Sequence, residues 1–182
     1  MNLYINKFTK FHSICILPVQ KMKDLKSKLP DLINNKWQLI LINEGSLTNN
    51  IQYLSNSKIC IKALQKGYKK YNDKNRIIRY VWMETSIYTS LIFARSLWIL
   101  TCNNLSLINI NSNHPIGLSF ITRQIDIYKE MHEIYYGYCQ KIEKEIRFKE
   151  PIWGRKYTLR YKGESYITIQ EFFSPRITNL FK

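Results

Sequence analysis

Three charged residues interrupt rows of apolar residues that alternate along predicted strands. Glu171 follows Ile167 and Ile169 on one face of a strand, because successive strand side chains point to opposite sides. Arg79 and Arg95 interrupt two further alternating rows in the same way. A buried charge is costly without a partner, and a guanidinium can hold a carboxylate through two parallel hydrogen bonds. The three residues predict a pocket for a small dianion, in which Arg79 anchors the ligand and Glu171 transfers a proton.

Each of these residues also has an ordinary structural explanation. An arginine in an apolar row can lie at a strand edge, with its stem packed and its guanidinium in water. Glu171 can form a structural ion pair with one arginine instead of taking part in chemistry. For Arg95 the sequence also leaves open which face of the strand is core, because the other face carries Ile92, Ala94 and Trp98.

The segments that carry these residues have the patterns of strands joined by turns. Strands are predicted at residues 14–19, 58–65, 76–83, 91–99 and 123–131, with a polar loop at 66–74. Residues 153–175 form a predicted hairpin with its turn at Lys162-Gly163. Helices are predicted at residues 30–42, from an N-cap at Ser46 to about Leu54, at 103–110, and as a solvated helix or arm at 138–150. These elements must bring the charged strands together if the pocket is to form.

The length and composition are those of one folded domain over residues 1–182, of which residues 1–25 are hard to assign. The chain is 45% hydrophobic and 14% aromatic, which argues against disorder. Its four cysteines and three histidines lack the spacing of a disulfide framework or a metal site, so we predict no metal ligands. No apolar run has the length needed to span a bilayer.

The formal net charge of +15 is compatible with a polyanionic partner. However, the lysines are spread along the chain among Asn and Ile, without an arginine-rich block or a repeat of glycine and aromatic residues. We therefore predict no nucleic-acid partner and keep a basic nucleic-acid-binding protein as the third hypothesis. A basic field would also steer a small dianion towards a pocket.

Four separated motifs between about residue 40 and the end of the chain resemble the chorismate lyase family. They are Gly45-Ser46-Leu47-Thr48, the pair Arg79-Tyr80-Val81 and Phe93-Ala94-Arg95-Ser96, the turn Pro115-Ile116-Gly117, and the hairpin from Trp153-Gly154-Arg155 to Glu171-Phe172-Phe173-Ser174-Pro175. The two arginines lie one residue further apart than in the bacterial enzymes, and the arm at 138–150 is longer. The longer arm resembles the cyanobacterial and plastid-encoded branch of the family.

The resemblance implies a fold, an activity and a set of site residues. The fold would be α+β, with helices packed on a mainly antiparallel sheet and enclosing a ligand pocket. The chain would convert chorismate to 4-hydroxybenzoate and pyruvate without a cofactor. Glu171 and Arg79 would be catalytic, with Arg79 on the ring carboxylate and Arg95 towards the enolpyruvyl side chain. Leu47 would border the pocket, and Ile116 would offer its backbone N–H to the substrate carboxylate.

The resemblance further implies a monomeric plastid protein whose product feeds quinone biosynthesis, with a cytoplasmic location as the other possibility. The alternative function is a non-catalytic domain on the same fold that binds or senses a small aromatic carboxylate, because a fold does not determine function. The carboxylate of Glu171 separates the two hypotheses. An enzyme needs it, whereas a carboxylate sensor would bind better without a negative charge there.

Overall fold

The computed structural model describes residues 11–19, 33–56, 58–71, 74–85, 90–101, 115–161 and 165–181. The strands are β1 (His12–Pro18), β2 (Cys60–Tyr71), β3 (Lys74–Glu84), β4 (Ser90–Thr101), β5 (Tyr128–Tyr138), β6 (Ile152–Tyr161) and β7 (Ser165–Phe173). The helices are α1 (Asn35–Leu41), α2 (Leu47–Ser55), α3 (Ile116–Thr122) and α4 (Gln140–Ile146), with a 3-10 helix at Pro175–Leu180. The predicted helix at 103–110 and the predicted turn at Lys162-Gly163 lie outside the described residues.

The seven described strands form one antiparallel sheet in the order β1-β5-β6-β7-β4-β3-β2. Four of the six neighbouring pairs, β2–β3, β3–β4, β5–β6 and β6–β7, are also neighbours in the chain. The central pair, β7 and β4, joins the two groups of strands and carries Glu171 and Arg95. The predicted α+β fold with a mainly antiparallel sheet is confirmed.

Several local predictions agree with the structure. The hydroxyl of Ser46 accepts a hydrogen bond from the backbone N–H of Asn49, which makes Ser46 the N-cap of α2 as predicted. In the same way the Asn34 side chain accepts from the N–H of Lys36, so α1 begins within the predicted span of 30–42. Both caps fix the ends of helices that lie against the sheet.

Three local predictions need correction. The polar loop predicted at 66–74 is mostly strand, because β2 continues to Tyr71 and β3 starts at Lys74. The strand predicted at 123–131 begins only at Tyr128, because Gln124 adopts a left-handed conformation (φ 52°) at the end of α3. The solvated arm predicted at 138–150 contains α4, whose Ile142 and Ile146 are fully buried.

The two faces of the sheet are covered by different elements. On the pocket face, which we define by Arg79, Ala94 and Glu171, the sheet packs against α1, α2, α3 and the 3-10 helix. On the opposite face, which we define by Phe93 and Phe172, it packs against α4. No helix in the described ranges is long and apolar enough to cross a membrane.

Candidate functional site

A cavity of about 370 Å³ lies on the pocket face, under the start of α2 and under α3. Its floor is formed by side chains of β3, β4, β6 and β7, and β5 contributes Lys129. Apolar residues form most of the wall, among them Leu47, Val81, Met83, Ile116, Phe120, Ile125, Leu159 and Ile169. The buried polar side chains of the lining include Arg79, Arg155, Tyr157 and Glu171. Such a volume, with apolar walls and few polar groups, is typical of sites for small molecules.

Arg79 is a buried cation in the wall of this cavity. Its position on β3 between Ile77 and Val81 directs the side chain to the pocket face, where it is 3% exposed. Burial lowers the pKa of the Arg79 guanidinium from its usual value. Arginine nevertheless stays protonated in proteins, so its positive charge lies in a poorly solvated place where an anion is attracted strongly.

Glu171 lies across the same cavity, and both of its carboxylate oxygens accept hydrogen bonds. It is 5% exposed, and Oε2 lies 2.7 Å from Nε of Arg155 in an ion pair. Oε1 accepts from the hydroxyl of Tyr157 at 2.8 Å. Burial, followed by the charge of Glu171, raises the pKa of the Tyr157 hydroxyl well above its usual value. Tyr157 therefore keeps its proton and acts as a fixed donor to Glu171.

Arg155 connects Glu171 to the C-terminal end of α1. It is 1% exposed, and its Nη1 donates to the backbone oxygens of Ile40, Leu41 and Asn43 at 2.9, 3.2 and 3.0 Å. The last carbonyl groups of a helix lack partners within the helix and favour a positive charge. Burial alone would lower the pKa of Arg155, but the carboxylate of Glu171 and its hydrogen bond reverse this effect, and the net shift is upward.

The glycine beside Arg155 permits close packing of an aromatic ring against the backbone of β6. A Cβ atom at Gly154 would collide with the ring of Tyr135 and would lie 2.7 Å from the backbone oxygen of Glu171. The hydroxyl of Tyr135 donates to the backbone oxygen of Arg155 at 3.1 Å from the opposite face. The Trp-Gly-Arg segment therefore lets an aromatic ring lie close to the backbone that carries the ion pair.

Lys129 supplies a third cation to the cavity. Its ammonium donates to the backbone oxygen of Asn43 at 2.6 Å and lies 4.4 Å from the centre of the Tyr157 ring. Burial, together with the charge of Arg155, lowers the pKa of Lys129 to about 8, although Glu171 acts in the other direction. Two further acids, Glu44 and Asp126, line the exposed mouth of the cavity.

Arg95 does not line the cavity, and the prediction that it shares a face with Glu171 is wrong. In the register of the sheet, Ala94 lies opposite Glu171, whereas Arg95 lies opposite Gln170. The Arg95 side chain is on the opposite face, where its Nη2 donates to Oε1 of Gln170 at 2.7 Å. The row with Ala94 and Ser96 faces the cavity instead, and the small side chain of Ala94 leaves space beside Glu171.

Leu47 and Ile116 both lie in the cavity wall, as the resemblance implies for residues that border the pocket and contact the substrate. Leu47 is the buried first residue of α2, and Ile116 is the first residue of α3. The two helix starts approach each other, since a Cβ atom at Gly117 would lie 4.0 Å from the Ser46 hydroxyl. The structure thus brings four predicted residues together at one cavity: Leu47, Arg79, Ile116 and Glu171.

Three residues of the site have no role predicted from the sequence. Arg155 and Tyr157 alternate with Leu159 along β6, and this row of the predicted hairpin was the available signal for them. Lys129 had no comparable signal, because its partner Asn43 is far away in the sequence and β5 contains a register shift between Met131 and Glu133.

Within the described ranges, no group of three or more His, Cys, Asp or Glu residues has an arrangement that could hold a metal ion. The polar groups in the interior of the cavity include three cations, the buried carboxylate of Glu171 and the phenol of Tyr157. Such a set can bind a carboxylate and can move a proton.

The chain is similar to a known protein family and to several known proteins. Residues 41–181 match the family described as Rv2949c-like chorismate pyruvate-lyase. The uncharacterized protein ycf21 of Antithamnion sp. is 40% identical over 167 residues, which cover 91% of this chain and 93% of that protein. The uncharacterized protein ycf21 of Porphyra purpurea is 34% identical over 146 residues, 79% of this chain and 83% of that protein.

A solved structure has a similar fold. The possible transcriptional regulator YydK of Bacillus subtilis superimposes with a TM-score of 0.52 over 71% of this chain. The sequences are 10% identical, and the match covers 61% of that chain, which is less than two thirds of its length. This similarity concerns the fold alone.

Proposed function

This chain belongs to the Rv2949c-like chorismate pyruvate-lyase family, and on that premise we propose that it converts chorismate to 4-hydroxybenzoate and pyruvate. The observation that carries the proposal is the placement of Arg79 and Glu171 on one face of a largely apolar cavity. One buried guanidinium is a suitable anchor for a carboxylate, and one buried carboxylate is a suitable group for proton transfer.

Binding is the first part of the proposed mechanism. The guanidinium of Arg79 holds the ring carboxylate through two hydrogen bonds, a geometry that an ammonium cannot reproduce. The backbone N–H of Ile116 is a second donor for this carboxylate, since the first N–H groups of a helix lack acceptors within the helix. Val81 and Ile169 line the cavity, where they can pack against the ring.

Proton transfer is the second part. The bond between the ring carbon and the ether oxygen breaks, the ring loses one proton, and the ether oxygen leaves with enolpyruvate, which gains a proton to become pyruvate, with no net oxidation. Glu171 accepts the ring proton and returns it to the leaving group, and aromatisation of the ring drives the reaction. The carboxylate oxygens of Glu171 have two lone pairs each, so the bonds from Arg155 and Tyr157 leave acceptor capacity for this step.

The ion pair between Arg155 and Glu171 is also what a purely structural role would require. In that case the chain would bind a small aromatic carboxylate without turnover, as a sensor does. Incubation of the purified protein with chorismate separates the two functions. We expect 4-hydroxybenzoate and pyruvate in equal amounts, formed much faster than in a sample without protein. Ligand binding without product would instead support the sensor, and failure to bind both chorismate and 4-hydroxybenzoate would exclude both functions.

We also propose that the reaction takes place in the plastid and supplies quinone biosynthesis. The similarity to ycf21 proteins of Antithamnion sp. and Porphyra purpurea supports this location. Fractionation of cells tests it directly, because the protein should be found with the plastid fraction. Recovery in the cytosol would contradict the proposed location and leave the proposed reaction unaffected.

A further inference from the structure

Among the described residues, Arg79 is the arginine of the pocket face that is not engaged with Glu171, so no further arginine there is available for the second carboxylate of the proposed substrate. Arg95 is directed away, and Arg155 is engaged with Glu171 and the end of α1. A dianion with only one cationic anchor would leave its other carboxylate poorly solvated in the cavity, which is costly. The remaining cation that the described structure places in the cavity wall is Lys129.

Lys129 is available for a ligand in a way that Arg155 is not. The contacts of its ammonium are a backbone oxygen and the face of a ring, and no carboxylate of the described residues forms an ion pair with it. The oxygen of Asn43 also accepts from Nη1 of Arg155 at 3.0 Å, so it keeps a donor when the ammonium moves. The long, flexible lysine side chain can therefore turn towards a ligand at small cost.

We infer that Lys129 binds the second carboxylate of a dianionic substrate, at the end of the cavity opposite the carboxylate that Arg79 holds. This inference rests on the proposed function, and it replaces Arg95 by Lys129 as the cation for the enolpyruvyl side chain. It makes Lys129 a residue that distinguishes a dicarboxylate substrate from a monocarboxylate product.

The charge of Lys129 makes this binding dependent on pH. The titratable or charged residues that line the cavity with it are Glu44 in the α1–α2 connection, Arg79 on β3, Asp126 before β5, Arg155 and Tyr157 on β6, and Glu171 on β7. Because burial, then Arg155, lowers the pKa of Lys129 to about 8, the ammonium is present at pH 7 and is lost as the pH rises through 8. A dianion should therefore bind more weakly at pH 9 than at pH 7.

The test compares Lys129→Met with Lys156→Met as a matched control. Lys156 lies on the opposite face, where its ammonium is 3.6 Å from Glu133, so its removal changes the net charge by the same amount away from the cavity. Chorismate is the ligand with two carboxylates, and 4-hydroxybenzoate is the ligand with one. Affinity for chorismate is read from KM if the protein turns it over, and from the equilibrium Kd if it does not.

We expect Lys129→Met to weaken chorismate binding about tenfold, as the loss of one charge-assisted contact implies. The Kd of 4-hydroxybenzoate should change less than about twofold, and kcat less than about threefold. The fall in chorismate affinity between pH 7 and pH 9 should disappear in Lys129→Met and persist in Lys156→Met.

Equal weakening of both ligands, or unchanged binding of chorismate, would overturn the assignment of Lys129. These outcomes differ from failure of the proposed function, which would appear as absence of product with the unsubstituted protein. In that case the ratio of the two Kd values still decides whether Lys129 contacts the second carboxylate. A protein that binds neither ligand would overturn both proposals.

Discussion

Arg79 and Arg95 lie in two neighbouring strands, but their side chains are on different faces of the sheet, because Arg79 lies opposite Ser96 and Arg95 lies opposite Tyr80. Each interrupts an alternating apolar row, but Arg79 reaches the cavity, whereas Arg95 pairs with Gln170 on the opposite face. The difference comes from the second row of each strand. On β4 that row contains Ala94 and Trp98, both buried, and it is the row that faces the cavity. That row also contains Ser96 but no charged residue, so burying it on the pocket face costs less than burying the row with Arg95.

The acceptors of the two faces differ as well. Two consecutive residues of β7, Gln170 and Glu171, each accept a hydrogen bond from an arginine on a different face. The amide of Gln170 is neutral, whereas the carboxylate of Glu171 can accept a proton. Of these two arginine-bound acceptors, the one that can perform acid–base chemistry is therefore on the pocket face.

The largest effect on turnover is expected from Glu171→Gln. The amide keeps the shape and one acceptor but cannot transfer the proton, so kcat should fall about 100-fold or more, in the range found for general acid–base groups. The measurement is kcat for chorismate per folded molecule, with the folded fraction determined by near-UV circular dichroism. Gln170→Met is the control, because it leaves the pocket face unchanged and should keep kcat within about threefold.

A Glu171→Gln variant that is folded and fully active would exclude the proton-transfer role. If the variant instead loses stability while turnover per folded molecule is unchanged, Glu171 is the structural partner of Arg155. Retained binding of 4-hydroxybenzoate in an inactive variant would agree with the proposed role.

Arg155→Met should produce the largest loss of stability. It leaves the Glu171 carboxylate buried without its cation and removes the donor to three backbone oxygens at the end of α1. Breaking a buried pair from one side typically costs about 3–5 kcal/mol in the free energy of unfolding. Urea denaturation measures the change, and Arg160→Met, which removes an exposed pair with Glu130, is the control with an expected loss below about 1 kcal/mol. Equal losses in the two variants would contradict the structural importance of Arg155.

A smaller effect is expected from Arg79→Lys. The ammonium keeps the charge but loses the two parallel hydrogen bonds to the ring carboxylate, so ligand affinity should fall about tenfold. The Kd of 4-hydroxybenzoate measures this change without interference from turnover. An unchanged Kd would show that Arg79 does not hold the ring carboxylate.

Local patterns in the sequence were sufficient to predict the strands that carry Arg79 and Glu171 and the N-cap at Ser46. They were insufficient wherever the outcome depended on distant segments. The partner of Glu171 is determined by the register of β6 against β7 and by the end of α1, which lies more than a hundred residues earlier. The isoleucines of α4 are buried because they pack against the opposite face of the sheet, and the local sequence does not show that this contact exists.

The central claim is that chorismate is bound and converted on the pocket face, and the most direct test compares Arg79→Met with Arg95→Met. Both variants lose one guanidinium from neighbouring strands, and thermal unfolding shows whether both remain folded. We predict that kcat/KM for chorismate falls about 100-fold in Arg79→Met, a loss of about 2.7 kcal/mol of transition-state stabilisation, and stays within about threefold in Arg95→Met. Equal losses in the two folded variants, or a larger loss in Arg95→Met, would contradict the account.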